Sequence, residues 1–397
     1  MQQTVQFSTR MVAADRVRAN DVGAWAALES RAIEPNAFLS PYFVIPSARH
    51  LTPEAVPHVL IVERQVGAGR ELVGVAMFTE TGPTRQMPVR RLVGYRSRHS
   101  FLSGLLLDRD CPEQALESML GFIRKTFPRC RAVGMQQVWS DGPLAAPDGM
   151  ANKACNFRPL LTETTPRAIL RPADCEAHLS DKALGRRIRD LDRRQRRLCQ
   201  LGELDWRCHR PDGIPAESIE AFLALEHMGW KGEERSSLRS RPEDEAFFRE
   251  MVTGFASERR VIFAELTLDG VPIASICNLV SGNVGFCFKI GWNPAFRSTS
   301  PALVNELEFM RNAATLFGDI EYFDSGASAE SFINELWLAR RDVSTMLVPT
   351  GTIGANTLRA AGWIGQLKRW ARRSDTGIPI RPETVNVADR EFATATR

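Results

Sequence analysis

The stretch of this 397-residue chain richest in chemistry runs from Phe286 to Leu303, Phe-Cys-Phe-Lys-Ile-Gly-Trp-Asn-Pro-Ala-Phe-Arg-Ser-Thr-Ser-Pro-Ala-Leu. An apolar strand runs out into a small polar loop, and Ser300 and Pro301 then supply an N-cap and a proline at the first helical position. A helix opened this way leaves several backbone N–H groups unpaired, and its dipole adds partial positive charge at the same point. Together they suit a pyrophosphate-sized anion, and Arg297 beside them adds a full charge. A well-capped helix with no ligand explains the same residues and is the commoner use of them.

Other chemistries find less support. There is no Gly-x-Ser-x-Gly elbow for a serine nucleophile. The eight cysteines form no Cys-x-x-Cys pair, and with six histidines at no ligand spacing a metal site is not expected. Cys277 and Cys287 flank a turn at Ser281-Gly282-Asn283. A three-residue loop would set them opposite each other; a two-residue loop would not. Scattered cysteines in a chain of this size read as reduced thiols of the cytoplasm. The N-terminus has no apolar signal region, and no stretch reaches the roughly 20 apolar residues of a membrane span. A formal net charge of +4 says little until the charges are located.

The elements that must position these residues occur twice. Val59–Glu63 followed by Leu72–Phe78 reads as a β-hairpin, and so does Val261–Leu266 followed by Pro272–Ile276. Helical patterning precedes each, at 24–31 and 41–49 and again at 216–228 and 243–257. A third strand follows each, Ser100–Leu107 and Val284–Trp292, then a helix, 112–126 and 301–317, then a further strand, 132–138 and 320–323. Two α+β modules are expected, with the boundary near 171–180. Between them Lys182–Arg197 carries eight basic and two acidic residues, with Leu184, Ile188, Leu191 and Leu198 at helical spacing. Near the end, Trp363, Leu367 and Trp370 share a face opposite Lys368, Arg369 and Arg373, a pattern for weak peripheral membrane or partner contact through 363–373.

The second module resembles the GNAT acyltransferase superfamily, in the tandem branch found with bacterial polysaccharide biosynthesis and related to Fem-type transferases. The residues that carry the likeness are Leu223–Gly232 with Trp230-Lys231-Gly232, Phe288–Trp292 with Ser300-Pro301, Asp324-Ser325-Gly326-Ala327, and Ile333–Arg341. The first module fits through Pro35–Pro41 and the strand around Phe101–Leu107. The branch's Ser-Pro-Gly stands here as Ser300-Pro301-Ala302, and the usual Gly-Thr-Ala after Trp-Lys-Gly is replaced around Arg235-Ser236-Ser237.

The resemblance implies two GNAT-like domains, each a mixed, mostly antiparallel sheet flanked by helices. These are 1–172, degenerate and structural or acceptor-binding; a basic linker helix at 173–200; a catalytic domain at 201–350; and an amphipathic helix and tail at 351–397. It implies transfer of an acyl group, acetyl first, from acyl-CoA to an amino or hydroxyl group on a saccharide precursor by direct attack. Donor contacts fall to Ile290, Trp292, Arg297, Ser298, Thr299, Ser300, Ala302 and Leu303. Glu226 is the first candidate base and Asp324 the second; Lys289 and Lys231 would neutralise an anionic acceptor, with Trp230, Asn334 and Arg341 on the acceptor side. Each has a plainer use: Glu226 in an ion pair, Lys289 with its head in solvent, Asp324 as a cap near Ala329, Arg340 and Arg341 at a helix end. Two other functions compete. An aminoacyl-tRNA-dependent transferase is favoured by the arginine-rich helix, and a non-catalytic ligand sensor by the missing glycine at Ala302.

Overall fold

A computed structural model describes residues 6–54, 56–84, 89–146, 148–155, 158–210, 214–328 and 330–360. Trp363, Leu367 and Trp370 lie outside the described residues.

The chain forms two compact units. Of the described residues, the first takes 6–48, Thr52–Thr165 and 342–360; the second takes Arg49–Leu51 and Pro166–Arg341. In chain order the first contains β1 (Phe7–Ala13), α1 (Ala19–Ser30), α2 (Pro41–Pro46), β2 (His58–Val66), β3 (Gly69–Thr81), β4 (Arg91–Gly94), β5 (Leu106–Leu107), α3 (Pro112–Thr126), β6 (Ala132–Trp139), α4 (Met150–Cys155) and the start of β7 (Leu160–Leu170). The second contains the rest of β7, then α5 (Cys175–Leu179), α6 (Gly185–Cys199), β8 (Leu204–His209), α7 (Ala216–His227), α8 (Trp230–Glu233) and α9 (Pro242–Ser257). It continues with β9 (Val261–Leu268), β10 (Val271–Ser281), β11 (Val284–Trp292), α10 (Pro301–Leu316) and β12 (Tyr322–Asp324). The last strand among the described residues, β13 (Ala339–Pro349), carries the chain back into the first unit.

Each unit builds a sheet of the expected α+β kind. In the first, β1, β2, β3 and β4 run antiparallel in order, β4 pairs β6 in parallel from Arg91↔Ala132 to Val93↔Gly134, and β13 closes antiparallel on β6. In the second, β8, β9, β10 and β11 form an antiparallel meander, β11 pairs β12 in parallel, and β12 pairs β7 antiparallel. Helices cover both faces of the second sheet, so all eight residues of β9 are buried. On one face α10 packs Leu307, Phe309 and Met310 against Ile262, Ala264 and Ile276. On the other, Phe222 of α7 and Phe248 of α9 stack at 5.2 Å, and Phe248 stacks on Phe288 of β11 at 6.1 Å.

Several expected elements move. The strand that follows β3 in the first unit's sheet is Arg91–Gly94, and only Leu106–Leu107 of the expected Ser100–Leu107 pairs. The reason lies at Gly104, whose φ of +143° turns the apolar run away from a ladder while Leu102 and Leu105 stay buried. The boundary near 172 and the linker at 173–200 also change. Helix α6 is a structural part of the second unit, because Leu184, Leu191 and Leu198 are buried and Gln195 and Asp192 bond Glu308 and Arg311 of α10. Arg340 and Arg341 open β13 rather than ending a helix.

Candidate functional site

The parallel pair in the second unit is three residues deep, Val284↔Tyr322, Gly285↔Phe323 and Phe286↔Asp324. Strand β12 ends there, while β11 continues from Cys287 to Trp292 with no strand on that side among the described residues. A bulge marks the place. Opposite β10 the register steps from Asn278↔Cys287 to Cys277↔Lys289, leaving Phe288 without a partner. The extra residue turns Phe288 and Lys289 to the same face, so Phe288 stacks on Phe248 and Lys289 reaches α7. Past the bulge Gly291 lets α7 lie on the strand, for a Cβ there would stand 2.5 Å from the backbone nitrogen of Glu226.

That close approach brings together Glu226, Lys231, Lys289 and Ile290. The Glu226 carboxylate is 1% exposed, and its Oε2 accepts the Leu238 N–H at 2.8 Å. Its Oε1 has no hydrogen bond but lies 3.6 Å from the Lys231 Nζ and 3.8 Å from the Lys289 Nζ. Lys231 in turn donates to the Ile290 carbonyl at 3.0 Å, which ties α8 to the free edge of β11. Gly229, at φ +71°, makes the turn between α7 and α8. The head of Lys289 is therefore in this cluster rather than in solvent.

Asp324 stands apart from that cluster. Its Oδ2 accepts from Arg167 at 3.2 Å and its Oδ1 from the Gly326 N–H at 3.0 Å, with both charged side chains nearly inaccessible. It holds the end of β12 in place; the cap expected near Ala329 lies outside the described residues. Asn334 donates to the Ser328 carbonyl, and Arg341 donates to the Tyr322 hydroxyl at 2.6 Å while lying over its ring. Trp230 opens α8.

The start of α10 differs in detail from the sequence expectation. Ser300 is the N-cap by position, but at φ +50° its side chain makes no capping bond. Its carbonyl accepts from Leu303 and Val304, and its hydroxyl accepts from Arg194 of α6 at 2.5 Å. Thr299, Ala302 and Leu303 are buried, whereas Arg297 and Ser298 are exposed. Two cationic side chains thus mark this corner, Arg297 from the loop and Arg194 from the helix taken as a linker. Trp292 is half-buried beside Phe296 and Leu198.

Glu306, one turn and a half into α10, escaped the sequence reading. It is 4% exposed, one oxygen accepts the Trp337 Nε1–H at 3.0 Å, and burial pushes its carboxyl up to about 7. Burial pushes the thiol of Cys175 up to about 12, and the charges of Asp174 and then Glu306 add to it. The seven cysteines with described side chains are free, and Cys277 lies opposite Lys289 rather than Cys287. Among the described residues no group of histidine, cysteine and acid side chains could hold a metal ion.

Residues 185–332 match the acetyltransferase (GNAT) domain family. Across both units the chain is similar to solved structures at low identity. The C-terminal DUF2156 domain assigned as part of a lysylphosphatidylglycerol synthetase from Agrobacterium fabrum is 14% identical, with a TM-score of 0.52, covering 86% of this chain and 95% of that one. FemX is 11% identical with a TM-score of 0.52, covering 83% and 96%. A conserved protein of unknown function from Bacteroides thetaiotaomicron is 11% identical with a TM-score of 0.51, covering 87% and 100%. No curated protein matches the sequence. The second unit has the GNAT acyltransferase fold.

Proposed function

We propose that the second unit transfers an acyl group, acetyl in the first instance, from coenzyme A to an amino or hydroxyl group, on a saccharide precursor or a similar anionic acceptor. One observation carries the reading: β11 runs on past its three-residue parallel pairing with β12, and a bulge falls where the two strands part. A thioester lying along that edge meets backbone N–H groups fixed by the bulge, placed to bond the oxyanion as it develops. The diphosphate lies toward Arg297, Arg194 and the start of α10.

The acceptor approaches from the α7 side, where Lys231 and Lys289 offset negative charge. Its nitrogen or oxygen bonds the acyl carbon, the carbon–sulfur bond breaks, and the electron pair leaves on the coenzyme thiolate. Glu226 Oε1, the oxygen of that carboxylate without a hydrogen bond, takes the acceptor's proton for eventual return to the thiolate. Asp324 serves the end of β12, and Asn334 and Arg341 shape the neighbouring wall.

Isothermal calorimetry with coenzyme A and acetyl-CoA tests this. Binding that weakens at least tenfold in Arg194→Ala and Arg297→Ala supports the site; no heat at millimolar ligand overturns it. One observation favours a sensor that binds the thioester without turning it over: the first turn of α10 is buried and Arg194 already holds Ser300. Release of thiol with an amino-sugar acceptor, lost in Glu226→Gln, would exclude that second reading.

A further inference from the structure

Helix α6 has two faces with different duties. Toward the second unit it buries Leu184, Leu191 and Leu198 at every seventh position, and Arg187, Asp192, Arg194 and Gln195 bond Glu335, Arg311, Ser300 and Glu308. At about 100° per residue the opposite face carries Arg186, Arg189, Arg193, Arg196 and Arg197, all exposed, within a stripe roughly 100° wide and about 16 Å long. Among the described residues only Arg193 of these five has an acidic partner, Asp190, which Arg194 shares. Four arginines with no acidic partner, and a fifth that shares Asp190 with Arg194, repel one another when held side by side. Their arrangement persists because the inner face fixes the helix.

We propose that this face docks the second unit on an anionic lipid surface. Two further features choose a bilayer over a nucleic acid. Just beyond the C-terminal end of α6 stand Leu201 and Val271, 60% and 64% exposed. The loops that bear them are joined by the Glu203 N–H to the Asp269 Oδ1 and by the Asp269 N–H to the Glu203 carbonyl, each 2.8 Å. Aliphatic tips beside a row of arginines suit the boundary between headgroups and acyl chains, where the charge meets lipid phosphates. By contrast, none of the large apolar side chains exposed among the described residues is aromatic, so a stacking platform for unpaired bases is missing from this surface. Exposed Glu203 and the Asp205–Arg207 pair dilute the positive field without reversing it.

Docking through α6 brings the lipid headgroups within one side chain of the α10 corner, since Arg194 spans from this helix to Ser300. The acceptor class this favours is one carried at a bilayer surface, a refinement that rests on the proposed acyl transfer. The docking itself does not.

Vesicle flotation with the full chain separates the two. Vesicles of 30% phosphatidylglycerol in phosphatidylcholine should carry the protein at about 50 mM salt, pure phosphatidylcholine should not, and about 500 mM salt should release it. Arg189→Glu/Arg193→Glu/Arg196→Glu should lower the bound fraction at least tenfold with unchanged melting temperature and unchanged heat of coenzyme A binding. Leu201→Ser/Val271→Ser, which leaves the charge intact, should lower it severalfold. Equal binding to neutral vesicles, no binding to anionic ones, or undiminished binding by the triple variant overturns the proposal. So does displacement from anionic vesicles by bulk RNA at lower concentration than by inorganic phosphate, which would assign the face to nucleic acid.

Discussion

At the scale of single residues, Glu226 decides most. Its carboxylate balances two ammonium groups within 4 Å at a site with almost no solvent. Glu226→Gln keeps a group able to accept the Leu238 N–H but removes the negative charge that the Lys231 and Lys289 ammonium groups share. We expect a loss of roughly 3–5 kcal/mol in urea unfolding, and recovery of much of it when Lys289→Met is added, because the second change removes one of the two cations that the carboxylate had balanced. If acyl transfer is lost in the single variant and stays lost in the restabilised double variant, the carboxylate acts in the chemistry and not only in the fold.

Glu306 yields a prediction of opposite sign to the usual acid. Its folded value near 7 stands above the ordinary 4.5, so between those values the folded chain holds a proton that the unfolded chain has released. Stability from this group is therefore full below about pH 4.5 and falls as pH rises through 7, by roughly 3 kcal/mol in all. Glu306→Gln should remove that slope. Unfolding midpoints at pH 5.5 and 8.5 should converge in the variant and differ in the parent.

Among elements, the contact of α7 with β11 was half legible. The resemblance put Ile290 and Trp292 on the donor and Glu226 at the base position, while Gly291 between the two donor residues was not singled out. What brings Gly291 and Glu226 into backbone contact is the bulge at Phe288, and no local residue preference announces a bulge; it arises from the register of β10 against β11. Gly291→Ala should push α7 off the strand and cost about 1–3 kcal/mol, with a matching drop in coenzyme affinity measured by calorimetry. The α10 corner was found from Ser300-Pro301, yet its guard, Arg194, was hidden. A run of arginines at helical spacing tells which side is wet, but not which helix the dry side meets. Glu306 gave no signal at all, because its partner Trp337 lies 31 positions away and only the fold joins them. In the first unit the hairpin of β2 and β3 and helix α3 were read at nearly their true ends. β4 was lost because its four residues alternate too briefly to stand out beside Arg90 and Arg91.

At the scale of the whole molecule, the sequence pointed to two modules in a row, each complete before the next begins. The strands say otherwise. β7 starts in the first unit and ends in the second, and β13 starts in the second and ends in the first, lying on β6 from Val343↔Trp139 to Pro349↔Ala132. A chain stopped after Leu338 should therefore lose the first unit's melting transition although it keeps the residues up to Thr165, which circular dichroism on the truncated protein would check. The same feature sets a clock on the ribosome. When Thr165 has been made, β6 still presents a bare edge, and it keeps that edge until roughly 180 more residues have been added, on the order of ten seconds or longer at ordinary elongation rates. Through that interval the nascent chain carries an open β-strand able to pair with a neighbour on the same message, so slow translation should favour aggregation of this protein and a chaperone binding early should suppress it.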